Sequence, residues 1–541
     1  MKREYDIAVI GAGINGAAIA REAVTRGLSV IVVDKADIGS GTSAWSSRLI
    51  HGGLRYLEHG ELRLVHESLH DREQLLHIAP HLVKPLAFVV PVYKHNHKPG
   101  WMFWAGMYLY DGLSLRKSVP RHRRLNRKAI KIELPSLNRD GLSAALRYYD
   151  GQVAYAERLV LDTVLSAVAA GADVLTYSEV VRVRVEAGKA TGLIVRRVGA
   201  TDEVTVSAKT VVNAAGPWVD EASAGLALDR MIGGTKGTHI IVDPFPGAPD
   251  VAIYYEARSD NRAVLVIPWN GRYLIGTTDD RFDGDADKVH GESEEIDYLI
   301  AETNSLIPGA QLTSESVLYT YAGIRPLPYR PAGSTGSIPR SHFILTHESI
   351  GNLVTVVGGK LTPHLSLANE VTDKIAALLG LRLSKSRADR SPLPGAVDWE
   401  TASVALAREL PWNETIVSRL LAVYGTRSRE LLRLAGDDPK WAVTIGSGRG
   451  AIVAGEVALA ITAEGAIHLA DILHRRTMVG LEPSLGLDIE HPVAELAAPL
   501  LGWSKDDVEE EIRAHRAYVN ERLLGGISNR HVRELESLSA E

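Results

Sequence analysis

The strongest constraint on this chain lies in its first 34 residues. Asp6-Ile7-Ala8-Val9-Ile10 has the near-continuous apolar character of a buried strand. It runs into Gly11-Ala12-Gly13-Ile14-Asn15-Gly16, and the pattern beyond predicts a helix over 15–26 that stops at Gly27, a natural C′ residue. A second apolar run, 29–33, ends in Asp34, 18 residues after Gly16. Strand, tight turn, helix, strand and terminal acid in this order make a dinucleotide-binding unit. Gly11 makes the turn, Gly13 lets the backbone approach a pyrophosphate, and Gly16 packs helix against sheet. The helix N-terminus, with Ile14 and Asn15 in its first turn, faces the phosphates, and Asp34 accepts from a ribose 2′-hydroxyl.

Composition narrows the rest. Lys plus Arg number 60 against 66 Asp plus Glu, a net charge of −6, so no strongly basic nucleic-acid surface dominates the 541 residues. The absence of cysteine excludes disulfide scaffolds, Cys-ligated metals and thiol catalysis. The first six residues lead straight into the strand without a signal-peptide core, and no run approaches the ~18 apolar residues of a spanning helix. The expectation is a cytosolic or membrane-surface protein.

A second segment separates FAD from NAD. Thr210-Val211-Val212-Asn213-Ala214-Ala215-Gly216-Pro217-Trp218 is a strand entering a Gly-Pro turn, nearly two hundred residues downstream of the first motif. In FAD domains such a late strand returns to the first βαβ unit and covers the cofactor, here through Ala215 and Gly216. Residues 5–395 alternate short β-rich runs with helical patterns, which reads as α/β mixed with antiparallel sheet. Pro-rich punctuation at 391–395 marks a boundary, and helices are expected beyond it at 404–410, 414–424, 456–476 and 505–524, the last capped by Ser504.

Ser46-Ser47-Arg48-Leu49-Ile50-His51-Gly52-Gly53-Leu54-Arg55-Tyr56-Leu57 resembles the flavin-contacting segment of FAD-dependent glycerol-3-phosphate dehydrogenases. Further matches follow in the same order: Asp150-Gly151-Gln152-Val153, Asn213 onward, Lys236-Gly237-Thr238-His239, Ile275-Gly276-Thr277-Thr278-Asp279, Gly323-Ile324-Arg325-Pro326-Leu327, Gly358-Gly359-Lys360-Leu361-Thr362 and Asp471-Ile472-Leu473-His474-Arg475-Arg476-Thr477. The resemblance implies a Rossmann-like FAD-binding domain, an antiparallel-sheet substrate domain of D-amino-acid-oxidase-like architecture, and an all-helical C-terminal domain. The oxidoreductase region would span 1–395, its FAD-binding part drawn from about 1–90, 150–220 and 320–390, with the helical domain at 396–541. It further implies Thr42, Ser46, Ser47, Leu49, Gly52, Gly53, Leu361 and Thr362 at the flavin. The implied reaction oxidises the C2 hydroxyl of sn-glycerol 3-phosphate to dihydroxyacetone phosphate and passes electrons through FAD to a membrane quinone.

The residues make chemical sense of this. A phosphomonoester dianion needs several cations, and Arg supplies bidentate geometry. Arg55, Arg325, Arg340 and Lys360 match the family's basic residues near the substrate, with Tyr56 as a hydroxyl donor. His51 is the expected base for the hydroxyl proton, since imidazole titrates near neutral pH, and Arg325 and Lys360 are grouped with it as catalytic. His59, His66, His70, His77 and His81 read as the polar face of a helix. Thr362 is expected to cap the following helix, with Pro363 at its first position. Two departures from the family stand out: Pro363-His364-Leu365 replaces its usual Thr-Tyr-Arg, and loop 328–337 carries Tyr329 and Arg330 where acids are typical. Another phosphorylated polyol, such as erythritol phosphate, or oxygen as acceptor are the alternatives.

Trp101-Met102-Phe103-Trp104-Ala105-Gly106-Met107-Tyr108-Leu109-Tyr110 is rich in aromatics and precedes Arg116, Lys117, Arg121, Arg123, Arg124, Arg127, Lys128 and Lys131. An aromatic run beside a cationic one suits monotopic binding to the inner face of the cell membrane. The competing expectation is that the aromatics cap a core. A homodimer is left open.

Overall fold

The computed structural model describes residues 4–53, 56, 60–96, 100–114, 117–333, 335–528 and 530–538. Strand β1 (Tyr5–Ile10), helix α1 (Ile14–Thr25) and strand β2 (Val30–Val33) form the predicted opening unit. The alternative to continuing α1 is taken at Gly27, whose φ of +96° suits a residue without Cβ. The late strand Glu203–Asn213 lies parallel to β1, with Ile7 opposite Thr210 and Ile10 opposite Asn213. Ile350–Val357 extends the sheet on that side and Asp173–Leu175 beyond β2 on the other. Ile7, Val9, Val30 and Val212 are fully buried beneath α1 and the helices Ala156–Ala169 and His364–Leu379. Each such side chain stabilises the layer by about 1.5–3 kcal/mol.

The second sheet has ten strands among the described residues and is antiparallel except where Ala252–Glu256 runs parallel to Val83–Tyr93. Thr235–Val242 sits between Arg272–Gly276 and Val317–Arg325, which places Arg325 opposite Thr235. One apolar core runs from this sheet through Trp45, Phe88, Tyr148 and Tyr321 into Ile416, Leu420, Val423 and Tyr424 of the C-terminal helices. The helical region is therefore packed on the sheet rather than tethered to it.

Several local expectations changed. The helix expected over 404–410 starts earlier, as Trp399–Glu409, and Glu414–Tyr424 keeps its bounds. The long helix expected over 456–476 is broken. Ala454–Thr462 ends before Gly465, at φ +68°, and the chain resumes as Leu469–Asp471 and a π-helical turn, Ile472–Arg476. Asp471 caps the restart by accepting the N–H groups of Ile467 and His468, both at 3.0 Å. Ser504 caps Lys505–Arg522 as predicted, with Asp507 completing the box. His66, His70 and His77 lie on the exposed face of Leu62–Ile78, but His81 is buried against Asp162 at 3.2 Å; His59 lies outside the described residues.

The tightest point of the opening unit is Gly16, where a Cβ would stand 1.9 Å from the carbonyl oxygen of Gly11 and 3.3 Å from Val9 Cγ1. Gly16→Val should cost about 1–3 kcal/mol through overpacking and part α1 from β1. A variant whose apoprotein melting temperature and FAD affinity equal the parent's would refute this.

Candidate active site

A single cavity of about 1030 Å³ opens at the carboxyl end of β1 and runs beneath the second sheet. At one end stand Gly11, Gly13, Ile14, Asn15 and Asp34. Gly11 has φ +101°, and a Cβ there would meet Ala214 O at 2.7 Å, so the turn admits only glycine. Gly13 is the N-cap of α1 and offers no side chain to its first N–H groups; among the described residues only Ile14 N–H is drawn aside, to Ser43 Oγ at 3.0 Å. A helix start left this bare is suited to an anion. Asp34 accepts Ala12 N–H at 2.6 Å and Ala36 N–H at 2.9 Å. Burial outweighs both bonds and pushes its carboxyl up to about 6. Each oxygen keeps a lone pair for a hydroxyl donor.

Along the middle, Thr42 donates to Ile324 O at 2.7 Å and Ser46 O accepts the Tyr321 hydroxyl at 2.8 Å. These bonds bind the loop to the strand Val317–Arg325. Ala215 and Gly216 (φ +59°) face it from the end of Glu203–Asn213, and Leu49 lines it beside Ser46 and Ser47. Gly16 and Gly52 do not line the cavity. Gly52 is pressed from behind, where a Cβ would lie 2.5 Å from Leu69 and from the Tyr110 hydroxyl. Its N–H donates to that hydroxyl at 2.9 Å, which donates in turn to Asp150 at 2.6 Å, and Arg72 holds the other oxygen of Asp150 at 2.6 Å. Gly53, at φ +74°, does line it, and a Cβ there would strike the Tyr56 ring.

The far end is cationic. Arg325 donates to Asp279 at 3.1 Å, to Thr277 Oγ1 at 2.9 Å, and to the carbonyls of Lys236 and Thr278 at 3.2 and 3.1 Å. Arg340 takes the other oxygen of Asp279 at 3.0 Å, so one carboxylate aligns two guanidiniums. Burial pushes that carboxyl up, but the two arginines outweigh it and hold it below the usual range. Lys360 differs. Its ammonium lies 3.6 Å from the centre of the Tyr56 ring and is buried, with no hydrogen-bond partner among the described residues. Burial, reinforced by Arg340 and opposed by Glu61, drives its pKa well below the ordinary lysine value.

His51 lines the same cavity, its backbone N–H donating to Thr362 Oγ1 at 3.0 Å. That bond corrects the expected role of Thr362. The helix begins at His364 with Pro363 as its uncapped N-cap, and the threonine hydroxyl ties the His51 loop to the 358–362 turn instead. Burial lowers the His51 pKa, Lys360 adds to this and Asp150 opposes it, so the imidazole is neutral at neutral pH. Leu361 lines the wall beside Lys360.

Of the expected site residues, Arg55 lies outside the described residues. The two departures from the family point away from the cavity. His364 is buried with Nδ1 against Leu361 O at 2.8 Å; Arg330 is exposed, and Tyr329 packs under Arg230 at 4.4 Å. Asp279, Thr277 and His239 lie in motifs that carry the family resemblance, but the resemblance gives them no part in the site. A carboxylate ending an apolar strand was the available signal for Asp279, since a buried charge needs a partner. His239 accompanies Ser47 at 2.8 Å and is pushed down to about 3 by burial, Arg325 and Arg48, a neutral ring throughout the physiological range.

A bare helix start and close-approach glycines at one end, and a cation-lined chamber under a second sheet at the other, define an FAD-dependent oxidoreductase of two layers with a helical appendage. Residues 6–365 match the family model described as FAD dependent oxidoreductase, and 386–508 match that of the C-terminal domain of alpha-glycerophosphate oxidase. The chain is 41% identical to a glycerol-3-phosphate dehydrogenase of Synechocystis sp., covering 96% of this chain and 97% of that one. It is 36% identical to D-erythritol 1-phosphate dehydrogenase of Brucella abortus, over 87% and 94% respectively. The crystal structure of glycerol-3-phosphate dehydrogenase from Bacillus halodurans complexed with FAD superposes with a TM-score of 0.78 at 25% identity, covering 96% of this chain and 95% of that one. The chain belongs to the family of FAD-dependent glycerol-3-phosphate dehydrogenases.

The unpartnered Lys360 gives a direct test. Lys360→Met fills the same volume without a buried amine, so the apoprotein should be as stable as the parent or more so. Inorganic phosphate at about 100 times its Kd should stabilise the parent by about 2.7 kcal/mol and the variant far less. Equal phosphate-induced rises in Tm for the two proteins would dismiss Lys360 as an anion ligand.

Proposed function

We propose that this chain oxidises the C2 hydroxyl of sn-glycerol 3-phosphate to dihydroxyacetone phosphate. The observation that carries this reading is the anion-ready end of the cavity: Lys360 without an anionic hydrogen-bond partner, beside Arg325 and Arg340 prealigned by Asp279. Three cations around one chamber suit a phosphomonoester dianion, and the planar guanidiniums suit its oxygens in pairs. Arg55 and Tyr56 complete this group in our reading.

The residues present fit FAD. Gly11, Gly13, Ile14 and Asn15 would hold its pyrophosphate and Asp34 its adenosine ribose, with Gly16 keeping α1 against β1. Thr42, Ser46, Ser47, Leu49, Gly53, Ala215, Gly216, Leu361 and Thr362 would line the flavin, with Gly52 supporting the loop. Bound FAD supplies the hydride acceptor. His51 takes the hydroxyl proton. Its neutral imidazole is held in that form by burial, and Thr362 fixes its backbone. Arg325 and Lys360 orient the substrate so that C2 rather than C1 faces the flavin, which is the sense in which they are catalytic.

We read residues 1–395 as the oxidoreductase region and 396–541 as the helical domain, electrons passing on to a quinone in the membrane. Among the described residues no helix is long and apolar enough to cross a membrane. Helix Gly100–Leu113 supports surface contact at the inner face of the cell membrane. Trp101 (65% exposed), Met102, Tyr108 (72%) and Leu109 point outward, while Phe103, Met107 and Tyr110 serve the core. The core expectation for this segment falls on one face of the helix, and the outward face is the one that supports our reading of surface contact. Arg121, Arg124, Arg127, Lys128 and Lys131 are exposed nearby in the chain.

Anaerobic glycerol 3-phosphate should bleach the visible flavin absorbance of the holoprotein, whereas glycerol should not. Erythritol 1-phosphate run in parallel decides the second reading, which the Brucella relative favours. Arg325→Lys keeps the charge but loses the fork and should lower kcat/KM by about one to two powers of ten at unchanged flavin content. A change within about threefold would remove Arg325 from the phosphate site.

Replacing Trp101, Met102, Tyr108 and Leu109 together with Ser should abolish co-sedimentation with anionic vesicles while leaving Tm within about 2 °C, because none of the four is in the core. Parent protein that does not sediment with such vesicles at all would refute the monotopic reading.

A further inference from the structure

Arg475 and Arg476 lie more than four hundred residues from the opening unit, yet both side chains end on Asp37, in the loop that follows β2. Asp37 stands three residues after Asp34 and is 1% exposed. Its carboxylate receives Arg475 Nε at 2.6 Å and the two terminal nitrogens of Arg476 at 2.7 and 2.8 Å. Burial acts to raise this carboxyl, and the two guanidiniums overrule it, holding it below the usual carboxylate range. Two consecutive arginines reach one carboxylate because Ile472–Arg476 winds as a π-turn, closed by Thr477 N–H donating to Ile472 O at 2.9 Å. Such a wider turn lets neighbouring side chains diverge less than in an α-helix.

The loop is gripped elsewhere too. Tyr177 donates its hydroxyl to Asp471 at 2.5 Å and its N–H to Ala36 O at 3.2 Å, and Ser178 N–H reaches Asp34 O at 2.8 Å. On the opposite side Gly39 N–H donates to Ala12 O at 3.1 Å, and Ala36 N–H to the Asp34 carboxylate. The position of Asp34 is thus set from the Gly-rich turn and from the C-terminal helices together.

We propose that Asp37, Arg475 and Arg476 are positioning residues for the dinucleotide, latching loop 34–40 to the helical domain so that Asp34 stands ready for the adenosine ribose of FAD. This rests on the reading of Asp34 as the ribose acceptor. Without the latch, cofactor binding itself must order the loop, and affinity falls by the fraction of molecules in which the loop is already placed.

The test titrates FAD into apoprotein, following quenching of flavin fluorescence, for the parent, Asp34→Ala, Asp37→Asn, their double variant and Leu406→Ala. The last opens a cavity in the separate apolar cluster of Leu406, Leu410 and Val417 inside the helical domain, which shares no residue with loop 34–40 or the π-turn, and controls for general destabilisation. Asp37→Asn should weaken FAD by about tenfold or more, the double variant should be no weaker than the weaker single one, and Leu406→Ala should lower Tm with FAD affinity kept within about threefold. Should Asp37→Asn not fold, Arg475→Lys takes its place with the same expected outcomes. If Asp34→Ala binds FAD like the parent, the ribose reading itself fails. If Asp34→Ala weakens binding while Asp37→Asn leaves it unchanged, adds to it independently, or is matched by Leu406→Ala, the latch is overturned.

Discussion

An ion buried away from water must bring its counter-ion with it, because removing one partner of such a pair costs about 3–5 kcal/mol. This fold is stapled together by that requirement. Arg48 forks onto Glu157 and tilts over Trp269, joining the flavin-side loop to helix Ala156–Ala169. Arg72 on Asp150 joins Leu62–Ile78 to the second sheet, and Arg158 on Glu464 joins the first domain to the helices. Arg158 and Arg476 belong to one continuous network, since Arg476 also donates to the Glu464 carbonyl at 3.0 Å. The helical region is therefore part of the framework behind the dinucleotide turn, by charge as well as by the core it shares with the second sheet.

Set against that pattern, Lys360 departs from the rule. The same desolvation that forces pairing on Arg48 and Arg476 leaves its amine poor in proton affinity until an anion arrives. A dianion placed beside it would reverse the balance by raising the lysine's proton affinity, and Arg325 and Arg340 are already aligned by Asp279. The two imidazoles along the cavity differ for the same reason. His239 stands among guanidiniums and cannot take a proton at physiological pH, whereas the lowering of His51 is opposed by the nearby Asp150. The carboxylates that tune the site act differently: Asp279 bonds directly to the guanidiniums it aligns, whereas Asp150 acts on His51 through its charge alone.

The sequence by itself determined the opening unit, because its signals are local. The buried strand, the turn that only glycine can make, the stop at Gly27 and the Ser504 cap are each set by residues within a few positions of one another, and each formed with bounds within about a residue or two of expectation. Family resemblance carried His51, Arg325, Arg340 and Lys360 to a single cavity. What the sequence withheld depends on chain path. Thr362 reads as a cap in its own segment, yet His51, 311 residues away, claims its hydroxyl. The apolar period of 456–476 gives no sign that Asp471 and Gly465 will break the helix, nor does the aromatic run at 101–110 say which of its rings face the core. Asp279 signals a buried charge but not its partner, and Asp37 looks like an ordinary surface acid, until arginines 46 and 439 residues distant are folded onto them. Local preference is encoded in neighbours, but the partner of a buried charge is decided only when the tertiary structure takes both groups out of water.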